Sequence, residues 1–243
     1  MPKVLNVRGP IITNDLKWIY DLFEYDSVCP NDISKIINEA KNENDSVVLR
    51  INSGGGYVTA GAEMYEEIKS SDINVEARVV GNCCSAATYL VCGANKATMS
   101  PLGQFMIHRC AIDGMSGNAN DLQSVLHSLN ETDRAIAYAY SLKTGKTENE
   151  ILELMDKETW MSAQTAKING FIDEILFADD APIANVTTQM NLTNNMRENI
   201  IPDNIINMVK QNKEMLKNQR QNVDFFNAKK SITQLNLLKL GGK

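Results

Sequence analysis

Three small clusters of residues in this 243-residue chain could do chemistry. The first is Gly54-Gly55-Gly56, three glycines that directly follow an apolar run. Bare backbone there can approach a ligand closely and present N–H groups to an anion, an oxyanion or a substrate backbone. The second is Ser85, flanked by Gly81 before it and by Ala86 and Ala87 after it. Small neighbours and the start of a helix would expose its Oγ and favour negative charge beside it. The third is His108, at the end of Phe105-Met-Ile107. The chain has two histidines, so any imidazole base is His108 or His127, and His127 lies in a polar helical stretch. A serine and a histidine brought together would act as nucleophile and general base. Taken alone, Ser85 reads as a helix N-cap and His108 as a strand-end donor.

The elements around these residues give them a setting. Ser46–Ile51 is β-branched and apolar, a strand that runs into the glycines. Val58–Lys69 has helical spacing at Ala60, Met64 and Ile68. Val75–Val80 is a second strand, followed by the turn Gly81–Ser85 and a helix over Ala86–Cys92. Lys96–Met99 and Gln104–His108 read as short strands. Strands alternating with helices indicate an α/β fold with right-handed crossovers. Asn118–Lys143 carries Leu122, Leu126, Leu129, Ile136 and Tyr140 on one stripe, a helix about 39 Å long at 1.5 Å per residue. Thr147 and Glu150 form a capping box, and Ser162 caps a further helix that ends at Gly170.

Composition narrows the function classes. The chain is 43% hydrophobic with a net charge of −6 and a pI near 5.1, which suits a core and does not suit nucleic-acid binding. No apolar run is long enough for a membrane span, and no signal-peptide core precedes the first charges, so a cytoplasmic location is expected. The five cysteines show no C-x-x-C spacing, so neither a disulfide framework nor a zinc site is expected, nor any other cofactor. The glycines match neither a phosphate loop nor a dinucleotide fingerprint. Composition shifts after about residue 184. Residues 190–243 hold nine Lys and Arg against four Asp and Glu, which leaves the rest of the chain at −11. The expected division is a body over 1–184 and a basic Asn/Lys-rich extension over 185–243. Pro202–Arg220 has helical spacing, and the extension reads either as a solvated tail or as an arm for an acidic partner.

The order Asn52-Ser-Gly-Gly-Gly56, Gly81-x-x-x-Ser85-Ala86, Met106-Ile-His108, Trp160-Met-Ser-Ala163 and Gly170-Phe-Ile-Asp173 resembles the Clp protease proteolytic subunit (ClpP) family over roughly residues 5–178. Gly9-Pro-Ile-Ile12, Ile19-Tyr-Asp21, Pro30-Asn-Asp32 and the basic extension look like its phage and prophage branch, the head-maturation proteases. The resemblance implies stacked ββα units related to the crotonase fold, with the long helix as a handle. It also implies homo-oligomeric rings, heptamers or tetradecamers. Residue by residue, it implies Ser85 as nucleophile, His108 as general base, and the N–H groups of Gly56 and Ala86 as the oxyanion hole. Gly54 stands where the family usually has proline. Alignment puts Glu158 at the position of the triad acid, with Asp156 as the alternative. The expected activity is a serine endopeptidase acting on protein or peptide substrates, capsid proteins in the phage reading. The alternatives are a proteolytic subunit served by an AAA+ unfoldase, a crotonase-like acyl-CoA enzyme, and a non-catalytic assembly scaffold.

Overall fold

The β-branched run before the glycines forms β2 (Val47–Ser53) in the computed structural model, which describes residues 1–178 and 200–211. Only Arg50 and Asn52 of this strand are exposed, the pattern of an interior strand covered on both faces. β1 (Lys3–Arg8) and β3 (Val75–Cys84) flank it, both parallel. β4 (Lys96–Met99) and β7 (Glu174–Ile175) continue the sheet in the order β1-β2-β3-β4-β7. Parallel neighbours need crossover connections. Here these contain α2 (Pro30–Glu43), α3 (Val58–Lys69) and α4 (Ala87–Gly93). A short helix, α1 (Lys17–Leu22), precedes them.

β3 is longer than either neighbour on its far side. Its first half, Glu76–Val79, pairs with β4. Its second half, Asn82–Cys84, pairs with β5 (Gln104–Ile107). The changeover falls at Gly81, where a Cβ would lie 2.4 Å from Asn52 Oδ1. β6 (Thr159–Met161) runs antiparallel on the outer edge of β5. The sequence places the end of the second strand at Val80 and a turn over 81–85. The strand instead continues to Cys84, because pairing with β5 supplies a ladder for residues 82–84, so Ser85 leaves the sheet directly.

The long helix is α5 (Ala119–Thr144), started by an Asn118–Asp121 capping box and ended by Gly145 in the left-handed region. Its first half is exposed, including Leu122 and Leu126, while Asp133, Ile136, Ala137 and Tyr140 are buried against the body. α6 (Glu148–Asp156) begins with the expected Thr147–Glu150 box, and α7 (Ala163–Ile168) is capped by Ser162. α8 (Asp203–Gln211) lies in the basic extension. Its Ile205, Ile206 and Val209 join Leu16, Ile19, Tyr20 and Phe23 in a second apolar cluster, so this part is docked on the body and is not a free tail. The remainder of the expected helix to Arg220, and most of the extension, lies outside the described residues. Among those described, no helix is long and apolar enough to cross a membrane. None of the five cysteines is in a disulfide.

Candidate active site

Ser85 is the residue at which β3 stops and the turn into α4 begins. Its φ is +53°, a left-handed conformation that a residue with a Cβ adopts at a cost. Three contacts hold it there. Its N–H donates to Met106 O at 3.0 Å, and its carbonyl accepts from the Thr88 N–H at 2.9 Å. The Thr88 hydroxyl donates to the same carbonyl at 2.6 Å. Thr88 has one hydroxyl proton, so the 2.6 Å contact between Thr88 Oγ1 and Tyr140 Oη must be donated by Tyr140. Tyr140 is fully buried, and that burial pushes its phenol well above its usual range, so it stays a neutral donor. A chain of hydrogen bonds thus runs from α5 through α4 to the main chain of Ser85. The Ser85 side chain caps no helix, and its Oγ turns instead toward His108.

His108 follows β5 by one residue. Cys84 pairs with Met106 in the β3–β5 register, which puts the first residue past β3 level with the end of β5. The outcome is a distance of 2.8 Å between Ser85 Oγ and His108 Nε2. The serine donates this bond when the imidazole proton sits on Nδ1. Both residues are half-buried, while His127 is exposed on α5.

The glycine loop sits on the other side of the serine. Gly55 has φ +99°, and a Cβ on it would lie 2.6 Å from Ser85 Cβ and 2.7 Å from Cys84 O. Gly56 has φ +151°, and a Cβ there would lie 2.1 Å from Ile11 O. No side chain fits at either position. The loop is pinned by Ile11, whose N–H donates to Gly55 O at 2.7 Å and whose carbonyl accepts from Tyr57 N–H at 3.0 Å. Buried Ser53 accepts from the Gly55 N–H at 3.1 Å and donates to Gly9 O at 2.7 Å. Among the described residues, the N–H groups of Gly56 and Ala86 have no acceptor. Gly54 begins the loop.

The two carboxylates fare differently. β6 pairs with β5 so that Ile107 faces Thr159. One more step of that register sets Glu158 across from His108. Glu158, however, turns into the left-handed region with φ +47°. It is exposed, and its carboxylate has no partner among the described residues. Asp156 accepts a 2.7 Å hydrogen bond from Arg109 Nε. The guanidinium holds the Asp156 carboxyl below the usual carboxylate range. Neither carboxylate is hydrogen-bonded to His108.

Four residues near the pair carry no catalytic motif: Thr88, Tyr140, Arg109 and Asp133. Asp133 accepts from the Cys110 N–H at 2.8 Å and lies 3.4 Å from Arg109 Nη1. The available signal was an acid set within the buried stripe of α5, between Leu129 and Ile136. Cys110 itself is no rival nucleophile. Burial, reinforced by the Asp133 carboxylate beside it, pushes its thiol up to about 11, so it is protonated at neutral pH.

These features define an α/β protein of layered strand and helix units with a serine–histidine pair at a strand-to-helix turn. Residues 27–179, more than half of the chain, match the family model described as Clp protease, and the chain belongs to that family of peptidases. It is 34% identical over 143 residues to the ATP-dependent Clp protease proteolytic subunit 1 of Chlamydia abortus, covering 58% of this chain and 74% of the relative. It is 29% identical over 152 residues to the proteolytic subunit 2 of Corynebacterium glutamicum, covering 62% and 75%.

Proposed function

We propose that this protein is a serine endopeptidase that works through an acyl-enzyme on Ser85. The observation that carries the reading is the 2.8 Å approach of Ser85 Oγ to His108 Nε2 at a turn whose backbone is held left-handed. Ser85 Oγ attacks the scissile carbonyl carbon as its proton passes to His108 Nε2. The tetrahedral oxyanion receives the free N–H groups of Gly56 and Ala86, and one such donor is worth about 2.7–4 kcal/mol where it has been removed. His108 then gives its proton to the leaving amine, and water, activated by the same imidazole, releases the acyl group. Of the two carboxylates, strand register supports Glu158 as the acid beside His108, since Arg109 engages Asp156. The Ser85–His108 pair carries the chemistry, and the acid is secondary.

We place the substrate among capsid proteins of an assembling phage head, with the subunits in homo-oligomeric rings. The Gly9-Pro-Ile-Ile12, Ile19-Tyr-Asp21 and Pro30-Asn-Asp32 segments and the basic extension support this. The names of the two relatives favour a second reading, a proteolytic subunit that receives substrates from an AAA+ unfoldase. The test is fluorophosphonate labelling and peptide cleavage by wild type and Ser85→Ala. Labelling confined to wild type supports a serine peptidase, and an unlabelled assembled wild type favours the scaffold reading. Cleavage of a co-expressed capsid protein without ATP supports the phage role. A requirement for an unfoldase and ATP supports the second reading.

A further inference from the structure

We infer that Arg109 and Asp133 are positioning residues for the general base, a role that rests on the proposed function of His108. His108 occupies a weak point of the chain. β5 ends one residue before it, and every residue from 111 to 118 is exposed. Without an anchor after it, the imidazole would be carried on the root of a loose loop. Asp133 provides that anchor. Its side chain is 7% exposed, a burial that a carboxylate tolerates when its oxygens are bonded and its charge is met. Oδ1 takes the N–H of Cys110 at 2.8 Å, and Oδ2 faces Arg109 Nη1 at 3.4 Å. Arg109 then reaches from Asp133 on α5 to Asp156 at the end of α6, with a 2.7 Å bond from Nε. Both residues after His108 are therefore tied to the body, one through its backbone and one through its side chain. The backbone that aims the imidazole at Ser85 is fixed from β5 on one side and from α5 and α6 on the other. The same contacts give Asp156 a different task from the triad acid: it completes the grip on Arg109.

The experiment uses the full chain as Arg109→Ala, Arg109→Lys and Asp133→Asn, beside wild type. Arg109 is one-third exposed, so its removal leaves the fold intact, which circular dichroism and the native mass of the assembly verify. A fluorogenic peptide gives kcat and KM, and a fluorophosphonate gives the rate of labelling at Ser85. Arg109→Ala is expected to lower kcat and the labelling rate about tenfold with KM within twofold, and Arg109→Lys to recover part of the loss. Asp133→Asn keeps an acceptor for Cys110 and loses the charge that meets Arg109, so it is expected to fall between them. The imidazole ¹⁵N signals give a reading independent of turnover, because the only other histidine is exposed His127. His108 is expected to change from one tautomer in wild type to an average of two in Arg109→Ala. Wild-type kcat and an unchanged His108 signal in folded Arg109→Ala would overturn the inference while leaving the proposed function in place. An unlabelled wild-type Ser85 overturns the proposed function and removes the inference with it.

Discussion

Ser85 and the carboxylates Asp156 and Glu158 stand on opposite sides of His108, and the chain builds the two sides differently. On the serine side, a sheet strand, a glycine loop and two helices converge. The left-handed turn is held by Met106, Thr88 and Tyr140, and the glycine loop packs so closely that no Cβ fits. On the carboxylate side, β6 is three residues long, and both acids are exposed, Asp156 at the end of α6 and Glu158 in the turn that follows. Among the described residues, these two carboxylates make one ion pair, Arg109–Asp156, whose carboxylate side chain is 57% exposed. Exposed ion pairs contribute little and are weakened by salt. The proposed nucleophile is thus placed by packing that water cannot replace, and the acids by contacts that water competes with. Function should fall steeply when the first side is disturbed and shallowly when the second is.

The steepest fall is expected for Ser85→Ala, which removes the proposed attacking atom and changes little else. Loss of a catalytic serine costs on the order of 10⁶ in kcat. Peptide turnover should drop to the detection limit while thermal stability stays near wild type. Gly55→Ala comes next. A Cβ on Gly55 meets Ser85 Cβ and Cys84 O inside contact distance, so either the loop or the serine turn must move. Displacing one oxyanion donor costs roughly 10²–10³ in kcat, and that loss with a smaller change in KM is the expected kinetic signature. Wild-type kcat in Gly55→Ala would mean that the loop does not hold the serine side.

Tyr140→Phe is the third and milder disturbance. It deletes the hydroxyl that donates to Thr88 Oγ1 in a buried site. Leaving a buried acceptor without its donor costs about 1–3 kcal/mol, read as a lower denaturant midpoint with an unchanged slope. Thr88 can still donate to the Ser85 carbonyl, so kcat should fall less than tenfold. A loss of activity as large as that of Gly55→Ala would show that the hydrogen-bond chain from α5, and not the glycine loop, sets the serine.

The same asymmetry governs what was legible before the fold was seen. Gly56, Ser85 and His108 each follow an apolar strand run, so motif and element point to the same places. Strand β2, helix α3 and the long α5 could be read for the same reason. The extension of β3 to Cys84 could not, because it depends on a partner strand that joins only its second half. Arg109 and Asp133 escaped because their contact spans two elements, and neither type nor spacing marks a charge pair of that kind. The sequence leaves the acid open between Glu158 and Asp156 because register, φ and the reach of Arg109 bear on it, and none of these is a property of the local sequence. The spacing in α8 marks a helix, but its apolar partners Leu16, Ile19 and Tyr20 lie nearly two hundred residues back along the chain.

The carboxylate side makes the shallowest prediction. Among the described residues Glu158 has no partner to lose, so Glu158→Gln should lower kcat less than about tenfold, against on the order of 10⁴ where an acid orients the imidazole directly. A loss near 10⁴ would mean that Glu158 reaches His108 in the working assembly and that the two sides are equally built. Asp156→Asn tests the same comparison through pH. Arg109 holds the Asp156 carboxyl below its ordinary value. A carboxylate with a depressed folded pKa stabilises the fold above its unfolded pKa, near 3.9, and loses that contribution as pH falls through the lower folded value. Thermal melts of wild type and Asp156→Asn should therefore differ slightly at neutral pH, with wild type higher, and converge below the ordinary carboxylate range. Added salt should narrow the gap at neutral pH, because the pair is exposed. A gap that persists at low pH or in high salt would place Asp156 in packing rather than in an ion pair, and would move the carboxylate side toward the serine side in construction.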